Sequence, residues 1–180
     1  EYNGHMYPTK SFDSEEHRLE HALRHANVLN SVASEKDIAG SFGWCMFDYN
    51  THKDFGSGDR ICYHGVCDMF RNPKMAANVY SCESEDIDVL ELASTMDVGE
   101  HPACNRGRTY ILSNMDTVKM YKNDKLMKEY TSRDSEYSNL SHGPILMDAF
   151  VVLDDIIEGE GYSKDHAQAV ADLLNWAALN

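Results

Sequence analysis

Four groups of residues in this sequence have types and spacings that could do chemistry. His17-Arg-Leu-Glu-His21 matches the His-x-x-Glu-His pattern of inverted zinc peptidases, in which two histidines four apart on a helix share one metal and the glutamate acts as base. His25 extends the same row. Leu19, Ala22, Leu23 and Ala26 define the buried side of that helix, so the bland reading is that the histidines lie on its solvated flank, and this reading is preferred. The loop around Gly56 and Gly58 lacks the lysine and Ser/Thr of a phosphate-cradling loop, since Asp59-Arg60 stands there, and it reads as turn-rich only. Trp44 and Asp48 fall near the end of an apolar run, where ligands collect in α/β folds; an indole there offers a flat face to a sugar ring, although from the residues alone a core tryptophan is the commoner case. Finally, Glu1 precedes Tyr2-Asn-Gly-His5, as though a loop departs from a strand end. A carboxylate so placed could serve as nucleophile or general base, as glycoside cleavage requires, although taken alone it is one glutamate among many.

Positioning these groups needs particular elements. From Asp13, a capping residue with Glu16 three positions on, apolar residues recur at Leu19, Ala22, Leu23, Ala26, Leu29 and Ala33, which predicts a helix. Ile38-Ala-Gly-Ser-Phe-Gly-Trp-Cys-Met-Phe-Asp48 is nearly continuous in apolar character and predicts a strand buried on both faces, as in a parallel sheet or barrel. A polar loop follows to Arg60. Asn72-Pro73 then supplies a cap and first-turn proline for a helix carrying Met75, Ala76, Val79 and Tyr80. Helix, strand, loop, helix is one turn of an α/β rhythm and reads as the tail of a larger α/β domain.

After Glu83 the pattern changes. Ile87–Leu92 and Thr109–Ser113 are strand-like, and Val118–Lys122, Asn123-Asp124, Lys125–Tyr130 reads as a hairpin. Several short strands in this stretch predict a small antiparallel sandwich. Residues 151–180 read as an acidic loop and a helix capped by Ser163, with Ala167, Val170, Ala171, Leu174 and Ala178 on one face.

Bulk properties narrow the classes. A chain of 180 residues can bury a sizeable core, and the net charge of −14 argues against a nucleic-acid partner or an anionic membrane surface. No apolar run approaches the ~18 residues of a membrane span. Five cysteines without a Cys-x-x-Cys pair suit free thiols in a reducing, hence cytoplasmic, compartment.

Taken together, Glu1–Lys10, Gly40-Ser-Phe-Gly-Trp-Cys-Met-Phe-Asp-Tyr-Asn-Thr-His-Lys-Asp-Phe-Gly56 and Asp59-Arg-Ile-Cys-Tyr-His-Gly-Val-Cys-Asp-Met-Phe-Arg-Asn-Pro-Lys74 resemble the end of the catalytic barrel of glycoside hydrolase family 2 β-galactosidases. The resemblance is strong over residues 1–83 and looser beyond, where it extends to the immunoglobulin-like module that follows the barrel. It implies an α+β chain: a partial (β/α)8-barrel segment over 1–83, with residues 13–34 as the seventh helix, 38–48 as the eighth strand and 73–82 as the eighth helix. An immunoglobulin-like β-sandwich over 84–150 and the acidic loop and C-terminal helix over 151–180 complete it.

For the site, the resemblance implies that Glu1 is the nucleophile of a retaining mechanism, since the family's nucleophilic glutamate ends the seventh strand and is followed by tyrosine. It implies a galactose-binding role for Trp44 as a pocket wall, with Asp48, His5 and His64 as further substrate-binding residues; at the position of His64 the family often has asparagine. The family's general acid is the glutamate of an Asn-Glu pair, and that dipeptide does not occur here. The chain by itself is therefore expected to be inactive. No organic cofactor is implied, and a divalent or alkali metal ion in the parent enzyme is left open. The expected partners are a β-galactoside and, through an uncovered strand edge, a second copy of the chain. A non-catalytic carbohydrate-binding or interaction module is the competing expectation.

Overall fold

The computed structural model describes residues 1–4, 7–53, 60–96 and 107–180. Helix α1, Glu15–Ser34, forms where the apolar spacing predicts one, but its cap is Ser14. Ser14 Oγ accepts the His17 amide, while Asp13 is engaged one turn earlier, accepting Lys10 N at 2.7 Å. Helix α2, Met75–Ser81, packs on α1 through Ala22 and Ala26 against Ala76 and Val79, all essentially inaccessible, so small side chains let the helices approach closely. Asn72 does not cap α2 as expected. Its amide and side chain both donate to Asp68, and the helix begins only after Lys74.

The segment 38–48 departs from its predicted form. Among the described residues it is not a strand buried on both faces: it makes single parallel bridges, Gly43 to Tyr2 and Phe47 to Cys67, and Phe42 and Met46 are 79% and 66% exposed. A parallel strand is buried only when helices and neighbouring strands cover both its faces. Here hydrogen bonds reach it from Tyr2 on one side and from residues 64–67 on the other, and apolar side chains between them remain uncovered. Strands β1, Tyr49–Asn50, and β2, Ile61–Cys62, extend it as a two-residue antiparallel pair.

In the second half, β3 (Leu90–Leu92), β4 (Tyr110–Ser113) and β7 (Ile145–Leu146) make an antiparallel sheet in the order β3-β4-β7. The hairpin is as predicted: β5, Val118–Lys122, pairs with β6, Lys125–Tyr130. Its turn residues Asn123 and Asp124 have φ of 51° and 63°, the left-handed pair that a two-residue turn between twisted strands requires. Strand β4 is buried along its whole length because it serves two layers. Tyr110 and Leu112 join Leu19, Ala22, Ala26, Ala76 and Val79 in the main core, while Ile111, on the other face, joins Tyr130, Ile145 and Met147 under the hairpin. The main core thus draws side chains from both sides of residue 83.

The expected acidic loop beyond residue 150 contains a helix instead. Helix α3, Leu153–Glu160, is followed by α4, Lys164–Leu179, and Gly161 between them has φ 68°. Ile156 packs with Ala167 and Ala171, with Leu153 and Ile157 beside them, so an apolar stripe prevails over the flanking acids. Among the described residues no helix is long and apolar enough to cross a membrane.

Candidate functional site

Glu1 precedes a residue held at three points. Tyr2 donates its amide to Phe42 O (3.0 Å), accepts Trp44 N at its carbonyl (2.8 Å), and sets its hydroxyl 2.7 Å from that of Tyr80. The Tyr2 ring thus reaches α2, and Glu1 and Trp44 are the chain neighbours of the bridged pair Tyr2 and Gly43. Gly43 is needed for this approach, since a Cβ there would lie 2.5 Å from Tyr80 Oη and 3.2 Å from the Tyr2 ring. Glu1 is exposed; Trp44 is half-buried, its ring edge-on to Tyr49 at 6.1 Å, and the Trp44–Cys45 peptide is cis.

Asp48 and His64 meet through the backbone between them. Asp48 Oδ1 accepts Gly65 N at 2.8 Å and Lys74 Nζ at 2.6 Å, and Lys74 also donates to Thr9 O at 2.6 Å. Burial raises the Asp48 carboxyl against the opposing pull of Lys74. A Cβ on Gly65 would fall 2.3 Å from Asp48 N and 2.4 Å from Cys67 O, both backbone atoms, so only glycine fits. His64, also buried, sets Nδ1 2.8 Å from Cys62 Sγ. His5 lies outside the described residues. The structure therefore joins the residues next to Glu1 and Trp44 across one bridge and brings Asp48 to the residue after His64 through the Gly65 amide. Burial pushes the Cys45 thiol up to about 11.

Two of the three histidines of α1 are not on a solvated flank. His21 and His25 are 3% and 0% exposed, with Nε2 atoms 3.3 Å apart, and His25 Nδ1 lies 2.7 Å from Tyr80 Oη. His17 turns elsewhere, stacking on Tyr7 at 4.2 Å and bonding Pro8 O, so His17 and His21 do not converge. Among the described residues no three His, Cys, Asp or Glu side chains gather as metal ligands. The i, i+4 spacing was a usable signal for the His21–His25 pair. The breadth of the helix face buried against α2 was not visible in the sequence, nor was Lys74 as the partner of Asp48.

With this geometry in place, comparison with curated proteins is informative. A beta-galactosidase of Thermoanaerobacterium thermosulfurigenes is 46% identical over 165 residues, 89% of this chain. The chain is similar to beta-galactosidases. Those of Thermoanaerobacter pseudethanolicus (40% over 147 residues, 80% of the chain) and Rhizobium meliloti (33% over 153 residues, 82%) agree. The matched stretch is 20–23% of these relatives, so the chain spans about a fifth of their length. No family model matches the chain.

The buried histidine pair makes stability pH-dependent. Burial, reinforced by His25, Lys74, His17 and His64, lowers His21 from 6.5 to about 3; burial lowers His25 to about 4. Tyr80 and Tyr2 also face His25. Because both folded values lie below the unfolded one, the pair's contribution is complete above pH 6.5 and is lost as pH falls toward 4, where the unfolded chain binds more protons. Two such groups cost on the order of 2–3 kcal/mol between pH 7 and 5.5. Urea unfolding across this range is expected to show the loss, and a His21→Gln/His25→Gln protein to lose less. An equal slope in that variant refutes the assignment.

Proposed function

We propose that this chain forms the carboxy-terminal part of the catalytic barrel of a retaining family 2 β-galactosidase, over residues 1–83, followed by an immunoglobulin-like module over 84–150. The 46% identity to a beta-galactosidase over 89% of the chain carries this reading. The parallel bridge of Tyr2 to Gly43 supports it, since neighbouring barrel strands run parallel and the bridged residues adjoin Glu1 and Trp44 in the chain. In this reading the Glu1 carboxylate attacks the anomeric carbon while a second acid, not contributed by this chain, protonates the departing oxygen; water then cleaves the glycosyl ester. Trp44 forms a wall of the sugar pocket, His64 and His5 bind hydroxyls, and Asp48, paired with Lys74, fixes the Gly65 amide beside His64.

A chimera in which this chain replaces the matching fifth of the Thermoanaerobacterium thermosulfurigenes protein is expected to hydrolyse a chromogenic β-galactoside. A 2-deoxy-2-fluorogalactosyl fluoride is expected to label Glu1, read by peptide mass spectrometry. The chain alone is expected to self-associate through the exposed apolar side chains Phe42 and Met46 and to show no hydrolysis. A folded but inactive chimera, a label on another residue, or activity of the chain alone that vanishes in Glu1→Gln overturns this reading; a concentration-independent monomer by sedimentation removes the self-association.

A further inference from the structure

We propose that the chain of hydrogen bonds His21–His25–Tyr80–Tyr2 is a positioning device for the Glu1 carboxylate, with His25 and Tyr80 as positioning residues. The inference rests on the reading of Glu1 as nucleophile.

Three links of 3.3, 2.7 and 2.7 Å carry the chain from the buried face of α1, through α2, to the residue that follows Glu1. The rings support the same path. His21 and His25 meet edge-on at 4.9 Å, His25 meets Tyr80 at 5.5 Å, and Tyr2 meets His25 at 5.9 Å. Each link has one proton to share, so the direction of the whole chain is set at its ends. His21 Nδ1 is buried and has no hydrogen-bond partner. If the protons ran from Tyr2 toward His21, that nitrogen would carry an N–H buried without an acceptor, which folded proteins rarely tolerate. If they run the other way, His21 Nε2–H donates to His25 Nε2, His25 Nδ1–H donates to Tyr80 Oη, and Tyr80 O–H donates to Tyr2 Oη. What remains is a bare lone pair at His21 Nδ1, the milder of the two defects. The orphaned nitrogen thus selects one tautomer for each histidine and a single proton direction.

The consequence falls on Glu1. With its amide, carbonyl and hydroxyl all engaged, Tyr2 has neither backbone nor ring freedom, and the peptide joining it to Glu1 is fixed. A nucleophile must stand within a fraction of an ångström of its line of attack, and supporting hydrogen bonds supply that constraint. Gly43 keeps open the gap through which Tyr80 reaches Tyr2.

The test uses the active chimera described above. Tyr80→Phe, which keeps the ring and removes the hydroxyl, is expected to lower kcat by about tenfold or more with KM within about twofold, because the carboxylate is misplaced while the sugar still binds. His25→Leu is expected to match it. His25→Asn, whose amide nitrogen takes the place of Nδ1–H, is expected to recover most of the loss, a rescue that generic core damage does not give. Should Tyr80→Phe fail to fold, Tyr2→Phe, at a half-buried position, is read in the same way. Full kcat in the phenylalanine variant, or a loss carried by KM, overturns the inference while leaving the reading of Glu1 intact if Glu1→Gln is inactive. An active Glu1→Gln removes the reading, and the inference with it.

Discussion

Glu1→Gln is expected to lower kcat of the active chimera by roughly 10³-fold or more, the scale on which removing one member of a catalytic unit acts. The amide is isosteric with the carboxylate and can keep its hydrogen-bond contacts, but it has no anionic oxygen to form the glycosyl ester. The loss should therefore fall on kcat, with KM little changed, because the ground-state contacts proposed for Trp44 and His64 would survive. Folding should be unaffected, since Glu1 is exposed and is not part of the main core. A Glu1→Ala variant sharpens the result. With the carboxylate gone, added azide can attack the anomeric carbon from the vacated side, and the product is the galactosyl azide of inverted configuration. Recovery of rate with azide identifies Glu1 as the attacking group, whereas an inert Glu1→Ala protein with a normal melting profile points to a defect in substrate binding.

How much of this was readable beforehand depended on whether a residue's neighbours were local. Helix α1 and the hairpin were legible because caps, apolar spacing and an Asn-Asp turn are local signals. The exposure of Phe42 and Met46 was not, since apolar content alone cannot tell what lies across a strand. His21 and His25 were misjudged for a related reason. The stripe of Leu19, Ala22 and Ala26 marks the centre of the buried face, but its width is set by α2, fifty residues away, whose Tyr80 supplies the hydroxyl that makes burying an imidazole tolerable. Helix α3 was missed because the acids Asp154, Asp155 and Glu158 dominate the composition, whereas Ile156 and Ile157 decide the packing. Glu1 and Trp44 were singled out through their surroundings in sequence, while Lys74 and the Tyr80 hydroxyl, which fasten the segments bearing them, had no sequence signature.

Lys74→Met is expected to cost about 3–5 kcal/mol of folding stability, the penalty for leaving one charge of a buried ion pair without its partner. The side chains of Lys74 and Asp48 are 2% and 4% exposed and 2.6 Å apart. A lone Asp48 would keep only the Gly65 amide, and burial already pushes its carboxyl upward. Asp48→Asn strands the ammonium instead, leaving it only the Thr9 carbonyl and an amide oxygen shared with Gly65 N. The double variant Asp48→Asn/Lys74→Met should nonetheless be markedly more stable than the sum of the singles predicts, because both desolvated charges leave together and the asparagine oxygen still serves Gly65. Urea unfolding of the four proteins measures the coupling directly; additive losses would show that the two charges do not depend on each other. The site makes the point more than a matter of stability. Lys74 ties residue 9, in the stretch leaving Glu1, to residue 48, which ends the run containing Trp44, and to the start of α2, whose Tyr80 meets Tyr2. The segments bearing the proposed nucleophile and its aromatic wall are thus fastened at one end by the Tyr2 bridge and at the other by a single ammonium. The apolar replacement can equal that fastening in energy, but a methionine beside an asparagine does not restore its hydrogen-bonded direction.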